Sequence, residues 1–241
     1  WNNVTIKYVI TGLVNGGSIV TTYWFFMPLY AAYLAIPLFS AVEKEKRKSV
    51  YVYISVVGFL LNVLIPFAAK FTDWVPYNPG FRLFVNMSYL FYVVVGWLLH
   101  TQEIKRKDRI VIYILAILGL FTNMIGTYFL SMRDGTVNKT FNGYNDVPCI
   151  LYAIGVFVLI KQIAPKIMDV KWIRAIVVYL NKYTFGVYLL HWSVLKAVIR
   201  LTRVNEVSLI WRLLSPIGIV AVCVAIIWVI RKIPVLKHVV P

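Results

Sequence analysis

Seven stretches of this chain are apolar for about the length a helix needs to cross a bilayer, and no other feature constrains the fold as strongly. They cover residues 19–42, 49–68, 82–100, 110–130, 147–163, 184–200 and 207–230. A hydrocarbon core of about 30 Å takes about 20 helical residues, and tilt accommodates the longer runs. The runs at 147–163 and 184–200 are short and are expected either to extend into their polar neighbours or to sit partly protected by other helices. None alternates with a period of two, which argues against a β-barrel. Lipid offers the backbone no hydrogen-bond partners, so each span must satisfy its own, and the helix does that. The expected fold is therefore all-α: a polytopic transmembrane helix bundle of about seven spans, one domain over 1–241. Pro28, Pro37, Pro66 and Pro216 fall inside runs and are expected to kink helices or mark their ends.

Charge then sets the orientation. The chain carries 25 Lys+Arg against 9 Asp+Glu, a net +16. In a soluble protein that excess would point to nucleic acid. Here the basic residues sit in the connections between apolar runs, so nucleic acid is excluded and membrane lipids are the expected partner. EKEKRK (43–48), TQEIKRKDR (101–109) and the segment around 161–182 are rich in Lys and Arg. The connections at 70–82, 131–146 and 200–206 are poor in them, and the tail after Arg231 is rich again. The positive-inside rule puts the rich segments and the C-terminus in the cytoplasm. With seven spans Trp1 is then outside, the arrangement expected if further spans precede it. Residues 4–17 read as an interfacial segment. The aromatics Trp1, Tyr8, Tyr23, Trp24, Tyr51, Tyr53, Trp74, Tyr77, Trp172 and Tyr183 cluster near the predicted interfaces and fit an interfacial belt.

Four segments resemble, in order, elements of the acyltransferase 3 family of bacterial membrane proteins. WFFMPLYAAYLAIPLFSAV (24–42) is similar to a helix that starts Trp-Phe and runs to a proline. FNGYNDVPCILYAIGVFVLIK (141–161) is similar to a later helix entered from a Tyr/Asn-rich loop. TFGVYLLHW (184–192) resembles a Ser-Phe-Gly-Ile-Tyr-Leu-Ile-His element, and IRKIPVLKHVV (230–240) the family's basic, Ile-Pro-containing ending. The resemblance implies a ten-helix O-acyltransferase of the bacterial plasma (inner) membrane. It implies no bound cofactor. Acetyl-CoA, or another acyl-CoA, would be the donor substrate, and a hydroxyl of a cell-surface or lipid-linked glycan the acceptor. It also implies a principal histidine on the first helix, followed by an Arg-rich motif. Neither occurs in this sequence, so the chain is expected to correspond to the last seven helices of ten. A polytopic glycan or lipid transporter and a non-catalytic remnant of an acyltransferase are the alternatives.

His191 is the first candidate catalytic residue. Lys182 and Arg200 bracket its run, 18 residues or about 27 Å apart, and His191 falls midway. Tyr188, His191 and Trp192 share a helix face, and Tyr188 is the second candidate. An ionisable group at mid-membrane is expensive and faces a bundle interior or a wet cavity. Two roles stay open: a neutral histidine tying helices together, or one lining an acyl-transfer cavity.

The 131–146 connection supplies the substrate-binding candidates Arg133, Asp134, Asn145 and Asp146, beside Asn142 and Tyr144. Such a set suits sugar hydroxyls, yet Asp134-Gly135 and Asn142-Gly143 are also ordinary turn pairs, and Asp146 can cap the helix after it. Asn138-Lys139-Thr140 reads as a chance sequon. Lys44, Lys46, Arg47 and Lys48 either set orientation or meet coenzyme A phosphates. Asn62 and Asn123 sit mid-span as interhelical hydrogen-bonders, and Lys196 and Arg200 can snorkel outward. Cys149 and Cys223 read as buried hydrophobes, His100 and His238 are isolated, and no metal is expected.

Overall fold

The computed structural model describes residues 24–72, 78, 80–83 and 89–233. Trp1, Tyr8, Tyr23, Trp74, Tyr77, His238 and the 4–17 segment lie outside the described residues. Among the described residues every regular element is a helix, so the all-α class holds. We number them α1 Phe26–Ser40, α2 Lys44–Ala68, α3 Tyr89–Thr101, α4 Arg106–Asp134, α5 Val147–Met168, α6 Lys171–Asn181, α7 Thr184–Thr202 and α8 Leu209–Ile230. Of these, α2, α4, α5 and α8 are long and apolar enough to span a bilayer, and α1 and α3 are apolar but shorter. The apolar stretch of α4 is only 6% buried by protein. So much outward-facing hydrocarbon needs lipid around it.

The described residues form two compact units, 24–164 and 165–233. In the first, α1 packs against α3 and α3 against α2. Buried Tyr51, Ile54 and Val94 hold one end of this group, and Val63, Phe91 and Ile150 tie in α5. The helix α2 is not uniform: Leu60–Leu64 form a π-helical turn. Pro66 explains it, because a proline ring clashes with the carbonyl four residues back, here that of Asn62, and a widened turn moves that carbonyl aside. Asn62 uses its place in the turn to clamp the Leu83 backbone. Its Nδ2 donates to the Leu83 carbonyl and its Oδ1 accepts the Leu83 N–H, both at 2.9 Å. Sequence reasoning expected a helix-to-helix bond here; the partner is non-helical backbone whose polar groups would otherwise need water.

Helices α4 and α5 approach through small residues. A Cβ on Gly119 would lie 2.7 Å from the Pro148 carbonyl oxygen, and one on Gly155 would collide with the Ala116 methyl. Asn123 on α4 donates to the Phe141 carbonyl at 2.7 Å and reaches Cys149 Sγ on α5 at 3.4 Å.

Contacts inside this unit sort its ends. At one, Lys161 Nζ donates to the carbonyls of Leu99, His100 and Gln102 at 2.7–2.9 Å, capping α3, and Arg109 pairs with Gln162. Arg47 there donates to the carbonyls of Ser40 and Val42, closing the turn between α1 and α2. The opposite end carries Trp24, Lys70, Tyr89 and residues 140–146. Within this unit the 43–48 and 101–109 connections thus lie at one end, and Lys70 and residues 140–146 at the other.

In the second unit α7 packs on α8 around Tyr183, Val194, Ile219, Cys223 and Ile227. Arg231 fastens α8 to the start of α7: its Nη2 donates to the Lys182 carbonyl at 2.7 Å and its guanidinium lies 4.8 Å from the Tyr183 ring centre. The segment between 161 and 182, read as a connection, contains helix α6. It exposes Trp172, Ile176 and Tyr179 on one face, with Arg174 opposite, the pattern of a helix lying in a membrane interface.

Candidate functional site

His191 sits half-buried on α7, beside the Val187, Leu190, Val194 and Val198 stripe that packs against α8. Its Nδ1 lies 2.6 Å from the Tyr188 carbonyl and 3.2 Å from the Val187 carbonyl. Both neighbours are acceptors, so in the neutral ring Nδ1 carries the proton and Nε2 presents its lone pair. Among the described residues it is the helix's own backbone, not a carboxylate, that orients the ring. The Tyr188 ring centre lies 5.9 Å from the imidazole, so the structure brings the two catalytic candidates together. The Lys196 ammonium folds back over the Trp192 indole at 4.9 Å, following the tilt of helical side chains toward the N-terminus.

The polar candidates of residues 131–146 lie in the other unit, and most of their groups serve one another. The 29 residues of α4 extend about 43 Å, more than the hydrocarbon core, so Arg133 and Asp134 at its end stand clear of lipid. Gly135 ends the helix with φ +66°. Arg133 Nε donates to Asp134 at 2.8 Å, and Asn138 Nδ2 donates to its other oxygen at 2.6 Å. The Arg133 guanidinium, and after it the Asn138 amide, hold the Asp134 carboxyl below its ordinary range. Asn138 Oδ1 accepts the Thr140 N–H at 2.9 Å, so the sequon is an internal turn.

Asp146 does more than begin α5. Oδ2 accepts the Gly143 N–H at 3.0 Å, closing a turn with the Asp146 N–H to the Gly143 carbonyl at 2.9 Å. Oδ1 pairs with Lys70 at 2.5 Å, and Lys70 also reaches the Thr140 carbonyl at 3.3 Å. Asn145 is exposed.

Sequence reasoning missed Lys70, whose one visible signal is being a cation in a charge-poor connection. It also missed what the turn holds up. Tyr144 stacks on Trp24 with centres 5.3 Å apart and planes at 22°, and Tyr89 flanks both at 5.7 and 6.4 Å. The Tyr92 hydroxyl donates to the Tyr144 carbonyl. Below these rings a cavity of about 250 Å³ runs between α1 and α3, lined by Phe25, Pro28, Leu29, Ala32, Tyr92 and Val93.

The basic cluster of 43–48 is partly structural. Arg47 is committed to carbonyls, and Lys46 pairs with Glu43 at 2.7 Å on the surface. Cys149 and Cys223 are buried free thiols. Among the described residues no group of three His, Cys, Asp or Glu could hold a metal.

The model of one protein family, described as an acyltransferase domain, matches residues 1–231. No curated protein and no solved structure matches the chain.

Proposed function

The chain belongs to the acyltransferase 3 family, and from that membership we propose that it transfers an acetyl group from acetyl-CoA to a hydroxyl of a cell-surface or lipid-linked glycan. It is a multi-pass membrane protein; the proposed location is the bacterial plasma membrane, with the lysine- and arginine-rich ends and the C-terminus in the cytoplasm. The family match over residues 1–231 carries this reading.

In the proposed reaction a glycan hydroxyl oxygen attacks the thioester carbonyl. The new C–O bond forms, the C–S bond breaks, and coenzyme A leaves as the thiol. The hydroxyl proton needs an acceptor as the oxygen becomes nucleophilic. His191 suits that task because its Nδ1–H is held by the Tyr188 and Val187 carbonyls, which leaves Nε2 as a base of fixed direction. The Tyr188 ring lies beside it, its centre 5.9 Å away and its plane tilted by 35°. Separately, within the 24–164 unit, the 131–146 connection is the proposed saccharide-contacting segment. Its main-chain shape is held by Asp146 and Lys70, and Arg133, Asp134 and Asn145 offer further polar contacts.

The test uses membranes from a host expressing the chain from its full open reading frame, supplied with labelled acetyl-CoA. Label should appear in the glycan fraction as an alkali-labile ester. His191→Ala should lower transfer by about 10²–10⁴-fold, the usual contribution of a general base, with insertion unchanged. Absence of label in the parent membranes defeats the proposed reaction. Full activity of His191→Ala defeats the role given to that residue.

A further inference from the structure

We propose that the stacked rings of Trp24 and Tyr144, flanked by Tyr89, form a platform that binds a pyranose ring of a saccharide. The assignment of that saccharide as the acceptor rests on the function proposed above; the binding itself does not.

Three observations converge. First, the rings are brought together from three separate parts of the chain: the start of α1, the start of α3 and the turn before α5. An interfacial belt accounts for single aromatic residues at the membrane surface, such as Trp172, which is 66% exposed. It does not require rings to stack on one another. Second, the platform stays open. Trp24 is 41% exposed and Tyr144 60% exposed although each contacts the other. Third, the open ring is held in place. The Tyr144 carbonyl accepts the Tyr92 hydroxyl, the residue before it donates to Asp146, and Asp146 is paired with Lys70. A pre-organised face binds without a large ordering cost.

Chemistry selects the ligand class. An aromatic face carries negative quadrupole density and favours weakly positive C–H groups. A pyranose presents such C–H groups on its flat faces and hydroxyls around its edge. The edge hydroxyls would meet the exposed amide of Asn142, two residues from Tyr144. The charged groups of 131–146 are mostly turned to one another, as Arg133–Asp134 and Lys70–Asp146 show. The open aromatic rings are therefore the larger recognition surface, and a ligand that binds through flat apolar faces fits it better than an anion does.

The experiment measures binding, not turnover. The full chain in nanodiscs is titrated with oligomers of glucose and of N-acetylglucosamine, and contact is read by saturation-transfer NMR. At least one series should bind saturably, with the ring C–H protons receiving most of the saturation. Tyr144→Leu, which keeps apolar bulk and removes the π face, should weaken binding about tenfold, and Tyr144→Phe should restore it. Trp24→Leu should act like Tyr144→Leu, whereas Trp172→Leu should leave affinity unchanged. Binding that is absent in both series, or equal in Tyr144→Leu and the parent, overturns the platform. Saccharide binding that depends on Tyr144 in a protein that transfers no acetyl group upholds the platform and removes the transferase reading.

Discussion

The α4–α5 seam offers a direct test of how this protein is packed. Gly155 lies where an added Cβ would collide with the Ala116 methyl, whereas a Cβ on Gly96, in α3, would meet nothing within 4 Å. Gly→Ala in a helix interior gains about 1 kcal/mol from lost backbone freedom in the unfolded chain. At Gly96 that gain should appear unopposed. At Gly155 overpacking opposes it by about 1–3 kcal/mol, leaving a net destabilisation of roughly 0–2 kcal/mol. The sign should therefore differ between two chemically identical substitutions. Ala116→Gly removes the colliding methyl and alone should cost about 1 kcal/mol of helix propensity. Combined with Gly155→Ala it transfers the methyl from one helix to the other and should recover most of the loss. The coupling should be about 1–3 kcal/mol, well outside additivity. Unfolding in mixed micelles of rising dodecyl sulfate fraction, followed by circular dichroism, measures all four corners of the cycle. If Gly155→Ala stabilises as much as Gly96→Ala, or the two seam changes add independently, the close approach of α4 and α5 at this point is wrong.

Asn62→Ala should destabilise the 24–164 unit by about 1–3 kcal/mol, because it leaves both polar groups of Leu83 without their partner; a melting curve that superimposes on the parent contradicts the clamp. Asp134 has a depressed carboxyl pKa, so its ion pair should persist from neutral pH down through the ordinary range near 3.9 and be lost only as pH falls below it. Carboxyl NMR of Asp134 reads the midpoint, Arg133→Gln should raise it, and an unmoved midpoint would remove the guanidinium as its main cause. Cysteines placed at Lys46 and Lys107 should react with an impermeant maleimide only in inverted vesicles, and one at Lys139 only in intact cells. Labelling of Lys107→Cys in intact cells would invert the proposed orientation.

Much of the architecture was legible because lipid removes choices. A long apolar run in a bilayer has to be helical, so the run over 110–130 announced α4 without any knowledge of its neighbours. Proline was legible in kind but not in consequence: Pro66 marked a disturbance, while the clamp that Asn62 in the π turn makes on Leu83 needed the position of distant backbone. Of the candidate residues, His191 was visible as an ionisable group in mid-run. Its ring direction was not, since that depends on which carbonyls of the preceding turn it meets. The polar set at 131–146 was visible as composition, but composition could not tell that Asp134 and Asp146 are occupied by Arg133 and Lys70.

The sequence by itself determined that this protein is helical and crosses a membrane, and that its motifs are those of an acyltransferase. Only the tertiary structure decided that Lys70 reaches Asp146 across 76 residues and that Trp24 lies against Tyr144. The physical reason is one of range. Hydropathy and charge act on each segment separately, through its own contact with lipid or water. A salt bridge or a ring stack exists only when helix packing carries two distant side chains to within a few ångströms of each other, and no local periodicity encodes that distance.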